Sequence, residues 1–125
     1  LHQSYALRAV FRGEATDGDQ IREKMVESKN HRRQSQPLAA SAGCIFKNPE
    51  EIGAGKLIDE MGLKGKSVGM AEVSHEHGNF IVNRGKASAE DVLRLIEEIR
   101  GEVKDRRGIN LETEIQIVGE DQAVF

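Results

Sequence analysis

The chain is poor in the residues that usually make a site legible. It has no tryptophan and a single cysteine, Cys44, in 125 residues. One thiol excludes an intrachain disulfide and any zinc site built on several cysteines. It leaves the redox setting open, with the cytoplasm as the default. Aromatics make up 4%, namely Tyr5, Phe11, Phe46, Phe80 and Phe125, and the formal net charge is -3. A nucleic-acid role therefore lacks both the basic excess and the stacking platform it needs. No apolar run approaches the ~18 residues of a membrane-spanning helix. The longest stretch worth testing, Leu38 to Phe46, is broken by Ser41. No signal peptide is legible. The chain begins Leu1-His2 rather than with Met, so sequence upstream is expected to be missing.

Hydrophobic residues make up 38% of the chain and charged residues of both signs 31%. A chain of this length buries roughly two thirds of its unfolded surface, enough for one core. Tyr5 to Phe11 reads as a strand, and Thr16 with Asp19 has capping-box spacing before a polar surface helix from Gln20 to Arg33. The helix-breaking connector Gln34-Ser35-Gln36-Pro37 marks a domain boundary. We therefore divide the chain into residues 1–36 and 37–125. Beyond the connector, Ala42 to Phe46 reads as a strand. Ala54, Leu57, Ile58 and Met61 form one face of a short helix, with Gly62 suited to its left-handed end. Ser67 to Ser74 and Phe80 to Asn83 read as two strands around a His-rich turn. Val92, Leu95, Ile96, Ile99 and Val103 stripe a helix over 88–107, opened by a Ser88/Asp91 capping box and closed by Gly108. Thr113 to Val118 alternates as a last strand. The expected domain is α+β, a two-layer β-α-β-β-α-β unit with a mainly antiparallel sheet.

Few of these residues announce a chemistry by themselves. Cys44 follows two small residues, Ala42 and Gly43, that would let a flat ligand approach the backbone. Its thiol could act as nucleophile, ligand or proton donor, or be a small core residue. His75 and His77 with nearby Glu72 could hold a metal, but nothing else at ligand spacing supports it; an ordinary polar turn is the reading, and no metal is expected. Lys64-Gly65-Lys66 lacks the Walker pattern, and no dinucleotide fingerprint is present. Glu114 lies on the polar side of its alternating segment, either a solvated face or a carboxylate held for catalysis.

Taken together the blocks say more. Ser41-Ala42-Gly43-Cys44-Ile45-Phe46-Lys47-Asn48-Pro49 is followed by Ala54-Gly55-Lys56-Leu57-Ile58 and Gly62-Leu63-Lys64-Gly65. Then come Val73-Ser74, His77-Gly78-Asn79-Phe80-Ile81-Val82-Asn83 and Leu111-Glu112-Thr113-Glu114-Ile115. In order and spacing, from about Gln36 to Gly119, they resemble the carboxy-terminal domain of the UDP-N-acetylenolpyruvoylglucosamine reductases. Residues 1–15 resemble the last strand of that family's preceding flavin domain.

The resemblance implies a function. The family uses NADPH and bound FAD to reduce UDP-N-acetylglucosamine enolpyruvate to UDP-N-acetylmuramate, a cytoplasmic step of bacterial peptidoglycan synthesis. A residue at the Cys44 position, usually serine, donates the proton that follows hydride transfer. A thiol with pKa ~8.5 is mostly protonated at neutral pH and can do the same. Glu114 matches the active-site glutamate, which could stabilise the developing enol. Asn48, Lys64 and His77 match substrate-contact positions, and Gly43 is the expected cofactor contact. Glu72 stands where the family usually has glutamine. The short spacer from Pro49 to Gly62 resembles the shorter-loop subclass. The family's flavin-binding domains, with an active-site arginine, lie upstream of these blocks. The expected partners are thus the substrate and those missing domains, and the chain alone is expected to be inactive. Two other readings remain: a non-catalytic nucleotide-sugar binding module, and a hydrolase pairing Cys44 with His77.

Overall fold

Residues 7–119 are described by a computed structural model, whose elements follow the apolar patterning for most of their length. In chain order they are α1 (Gly18–Ser35), β1 (Ser41–Cys44), α2 (Ala54–Glu60), β2 (Ser67–Val68), β3 (Ala71–Val73), β4 (Phe80–Asn83) and α3 (Ala89–Arg107). The chain divides into two compact units, Leu1–His31 and Arg32–Phe125.

In the first unit, 7–11 form no strand, and Leu7, Val10 and Phe11 are exposed. Tyr5 and Ala6, the other part of the expected strand, lie outside the described residues. No capping box forms at Thr16. Its hydroxyl bonds the Gln20 side chain, while Asp19 sits inside the first turn and takes Arg22. No residue of α1 is buried, as its polar sequence requires.

The second unit holds one sheet in the order β1-β4-β3-β2, with every pairing antiparallel. One core joins Leu57 and Ile58 of α2, Leu95, Ile96, Ile99 and Val103 of α3, Val73 and Ile81 of the sheet, and Ile45, Phe46 and Leu111. Burying each such side chain stabilises the fold by roughly 1.5–3 kcal/mol. The architecture is the α+β class expected, with two differences in the strands. The span Ser67 to Ser74 is a hairpin rather than one strand. Gly69, at φ 55, and Met70 turn β2 onto β3, and glycine adopts that conformation without strain. Thr113 to Val118 makes one isolated bridge, Phe46 to Thr113. Only 45–47 offers it backbone partners among the described residues, so pairing stops where those do.

The α3 helix starts as its sequence dictates. Ser88 accepts from the Asp91 N–H, and Asp91 accepts from the Ser88 N–H. Asp91 also takes a backbone hydrogen bond from Met70, so one carboxylate ties the helix to the β2–β3 turn. That turn comes so close that a Cβ on Gly69 would stand 2.5 Å from the carboxylate. The Ser88 hydrogen bonds hold the Asp91 pKa below its ordinary value. A depressed carboxylate stabilises the fold above its unfolded pKa and loses that contribution as pH falls through the folded one. Asp91→Asn is therefore expected to flatten the acid limb of a thermal-unfolding profile, and Ser88→Ala to cost about 1 kcal/mol at neutral pH. An acid limb in Asp91→Asn as steep as the native chain's would show that the box is not formed.

Candidate functional site

The site begins with a flaw in β1. Ser41 faces Val82 and Cys44 faces Phe80, so the register slips by one residue between them. Gly43 lies in that bulge at φ 85, a conformation that a side chain would strain. The bulge ends the pairing with β4 and hands the chain to a new partner. The Ile45 N–H still donates to the Asn79 carbonyl at 2.9 Å. From there the Lys47 N–H donates to Glu112 O at 2.9 Å, and the Glu114 N–H donates to Ile45 O at 2.8 Å. Cys44 thus sits at the switch between β4 and 112–114, and Glu114 comes to it from far along the chain.

The thiol is half-buried. Burial pushes its pKa up, the Glu114 carboxylate pushes it further, and a hydrogen bond with the Asn79 side chain partly offsets both. The group is thereby held in its proton-bearing form, as a proton donor requires and a thiolate nucleophile does not.

The turn between β3 and β4 supplies the next groups. Ser74 is fully buried, and its hydroxyl organises the turn. It donates to Glu76 Oε2 at 2.6 Å and accepts the Glu76 and His77 N–H groups. This arrangement holds the Glu76 carboxyl below its ordinary pKa. His77 Nδ1 accepts the Asn79 N–H at 3.1 Å, and its ring stands edge-on to Phe80 with centroids 4.9 Å apart. The ring rests over Gly55 of α2, where a Cβ would fall 2.7 Å from Cε1. Gly78 is equally tight, since a Cβ there would meet the Gly55 carbonyl at 2.5 Å. Two glycines therefore let α2 and the turn touch backbone to backbone.

The remaining expected residues take separate places. Asn48 Oδ1 accepts the Ala54 N–H at 2.9 Å and so caps α2 from outside the helix. Lys64 is held by Asp59 at 2.8 Å, toward the opposite end of α2. Glu72 lies on β3 and pairs with Arg84. The structure thus brings Glu114 to the backbone beside Cys44, through its N–H to Ile45 O, and links His77 to the same stretch through Asn79, while Asn48 sits at the same end of α2 as His77. Lys64 is not drawn into that group. His75 and His77 do not share a face; their rings pack on Gly65 and Gly55 respectively. Among the described residues no group of three acidic, histidine or cysteine side chains is placed to hold a metal.

Sequence reasoning passed over Asn79. It is 3% exposed, and its side chain pairs with both backbone groups of Phe46: Oδ1 accepts the N–H at 2.9 Å and Nδ2 donates to the carbonyl at 2.8 Å. The available signal was an amide immediately before the fully buried run Phe80-Ile81-Val82. A buried amide must find partners, which marks it as built in rather than incidental.

Comparison with known proteins gives these residues a context. The family model for the UDP-N-acetylenolpyruvoylglucosamine reductase C-terminal domain matches residues 35–118. A reductase of that name from Bacillus licheniformis is 46% identical over 115 residues, 91% of this chain and 62% of that protein. One from Clostridium novyi is 47% identical over 116 residues, covering 92% of this chain and 38% of its own. One from Geobacter metallireducens is 48% identical over 114 residues, covering 90% and 38%. The crystal structure of UDP-N-acetylenolpyruvylglucosamine reductase from Thermus caldophilus superposes with a TM-score of 0.68 at 45% identity, over 82% of this chain and 36% of that one. The chain thus spans less than two thirds of each of these relatives. The family match over 35–118, the relatives' identity and the shared fold place the chain in the UDP-N-acetylenolpyruvoylglucosamine reductase family, with residues 35–118 as its C-terminal domain.

Proposed function

We propose that this chain is the substrate-binding, proton-donating part of a cytoplasmic oxidoreductase that converts UDP-N-acetylglucosamine enolpyruvate to UDP-N-acetylmuramate with NADPH, in peptidoglycan synthesis. The observation that carries this reading is the half-buried Cys44 at the strand switch, with Glu114 fixed to the backbone of the next residue and its carboxylate acting to keep the proton on the thiol. FAD, when bound, would supply the hydride, drawn from NADPH, and Gly43 is the residue of this chain that would lie against it. Gly43 fits that neighbour: a Cβ there would meet nothing within 4 Å, so the backbone beside Cys44 is open to a flat group. Most of the flavin's contacts belong to upstream sequence, so the chain alone holds no flavin and turns nothing over.

The protein's own step is the proton. Hydride addition leaves an enolic or carbanionic carbon beside the substrate carboxylate. Cys44 delivers its proton there and becomes a thiolate, which water then reprotonates. Glu114 disfavours the thiolate before that moment and hydrogen-bonds the developing enol during it. His77 accepts the Asn79 N–H at Nδ1, so the neutral ring carries its proton on Nε2 and offers the substrate a donor. Asn48 spends Oδ1 on the Ala54 N–H and Lys64 meets Asp59, which leaves the Asn48 Nδ2 hydrogens and further Lys64 ammonium hydrogens to offer the substrate.

The polypeptide with its upstream flavin segment restored tests this directly. NADPH oxidation driven by UDP-N-acetylglucosamine enolpyruvate is expected to fall at least ~100-fold in Cys44→Ala, with flavin reduction by NADPH intact. Equal turnover in the variant would move the donor elsewhere. Flavin binding without turnover of this substrate would instead favour a nucleotide-sugar binding module. The donor must be protonated, so the native rate is expected to fall as pH rises through the raised thiol pKa. Cys44→Ser should lose that basic limb, because an alcohol stays protonated throughout; a limb that persists would belong to another group. The present chain, purified alone, is expected to be colourless, and a flavin-bearing preparation would overturn the division of labour.

A further inference from the structure

Asn79 meets more of the site than any residue assigned to it. Its carbonyl accepts the Ile45 N–H at 2.9 Å, and its own N–H donates to His77 Nδ1 at 3.1 Å. Its side chain holds both polar backbone groups of the buried residue Phe46. The orientation of the amide is therefore fixed. The Phe46 N–H demands an oxygen, and the Phe46 carbonyl demands an N–H.

We propose that Asn79 is a positioning residue that sets both the Cys44 thiol and the His77 imidazole, through its hydrogen bonds to the Phe46 backbone and to Nδ1. The inference rests on the reading of Cys44 as the proton donor. Nδ2 carries two hydrogens, and the Phe46 carbonyl takes one. That clamp holds the amide two residues along from Cys44, where it acts to lower the thiol pKa, and the second Nδ2 hydrogen is the one open to Sγ. When Cys44 gives up its proton, the thiolate forms in a half-buried place beside Glu114, and the Asn79 N–H is the group that offsets both penalties. On its other side, the backbone N–H of Asn79, a different donor from Nδ2, occupies the Nδ1 lone pair. This fixes the tautomer of His77 and the direction in which Nε2–H is offered. One residue thus couples the donor to a neighbouring substrate contact.

The test needs neither flavin nor substrate. Cys44 is the only thiol of the chain, so alkylation reads it directly. In the native chain, the Asn79 side-chain amide resonances are expected to titrate with the same midpoint as Cys44 alkylation. The ¹⁵N shifts of His77 should place the neutral ring's proton on Nε2. Asn79→Asp keeps the acceptor for the Phe46 N–H, removes the donor to Sγ and adds a negative charge. It is expected to slow alkylation about tenfold or more at a fixed pH below the midpoint, by raising the thiol pKa about one unit. An unchanged alkylation profile in a folded Asn79→Asp chain would overturn the proposal. So would Asn79 amide resonances that ignore Cys44 ionisation in the native chain, a measurement that decides even if the variant does not fold. A merely structural Asn79 would alter melting but not the shared midpoint. Failure here leaves the reductase reading intact, and failure of turnover in the longer polypeptide leaves this result intact.

Discussion

The polar atoms of Phe46 have to be paired inside the core, and the Asn79 amide pairs them. Phe46 is 1% exposed, at the point where the chain has left β4 and is joining 112–114. A regular strand would meet backbone on both sides there; this one meets backbone on one side and a side chain on the other. Leaving either group without a partner would cost roughly 1–3 kcal/mol. The bulge at Gly43, the bridge to Thr113 and the approach of Glu114 to Cys44 all follow from holding that residue in register. The same amide meets the thiol, so the requirement of folding and the geometry of the site share one group.

A second constraint is the closeness of α2 to the β3–β4 turn. A helix of seven residues is too short to persist on its own. It is kept by Ala54, Leu57 and Ile58 in the core and by Asn48 across its first N–H. Gly55 and Gly78 remove the side chains that would hold it away from the turn, and His77 settles over the gap. The glycines contribute no chemistry, yet they decide where the His77 imidazole stands.

The charges divide by task. Lys66 reaches Glu98 and Glu102 of α3 at 2.9 and 2.8 Å, and these partners raise its pKa and lower that of Glu102. That network ties the β2 end of the sheet to α3 and lies apart from the thiol. At the switch the balance is reversed: burial first, and then the Glu114 carboxylate, raise the Cys44 pKa. An electropositive site would favour a thiolate nucleophile; this one favours a thiol that still holds its proton. The Cys-His hydrolase reading weakens for the same reason, since His77 Nδ1 is already occupied by the Asn79 N–H.

The local signals that carried through were those written within one element. The Ser88/Asp91 box, the stripe from Leu95 to Val103 and the Gly108 cap of α3 need only neighbours three or four residues away, and they form as read. The short α2 and β4 are legible for the same reason. The hairpin at Gly69 was missed because two-residue strands are too short to show a period, so 67–74 read as one run. The strand expected over 113–118 shrank to a bridge because alternation announces two faces but not whether a backbone partner exists. The sequence by itself determined the helices, β4, the apolar core and, by its motifs, the family. Only the tertiary structure decided that Cys44, Glu114 and Asn79 meet while Lys64 turns to Asp59. Those meetings join residues 35 to 70 positions apart, and no local propensity specifies contacts at that range; burial and hydrogen-bond satisfaction in the folded core do.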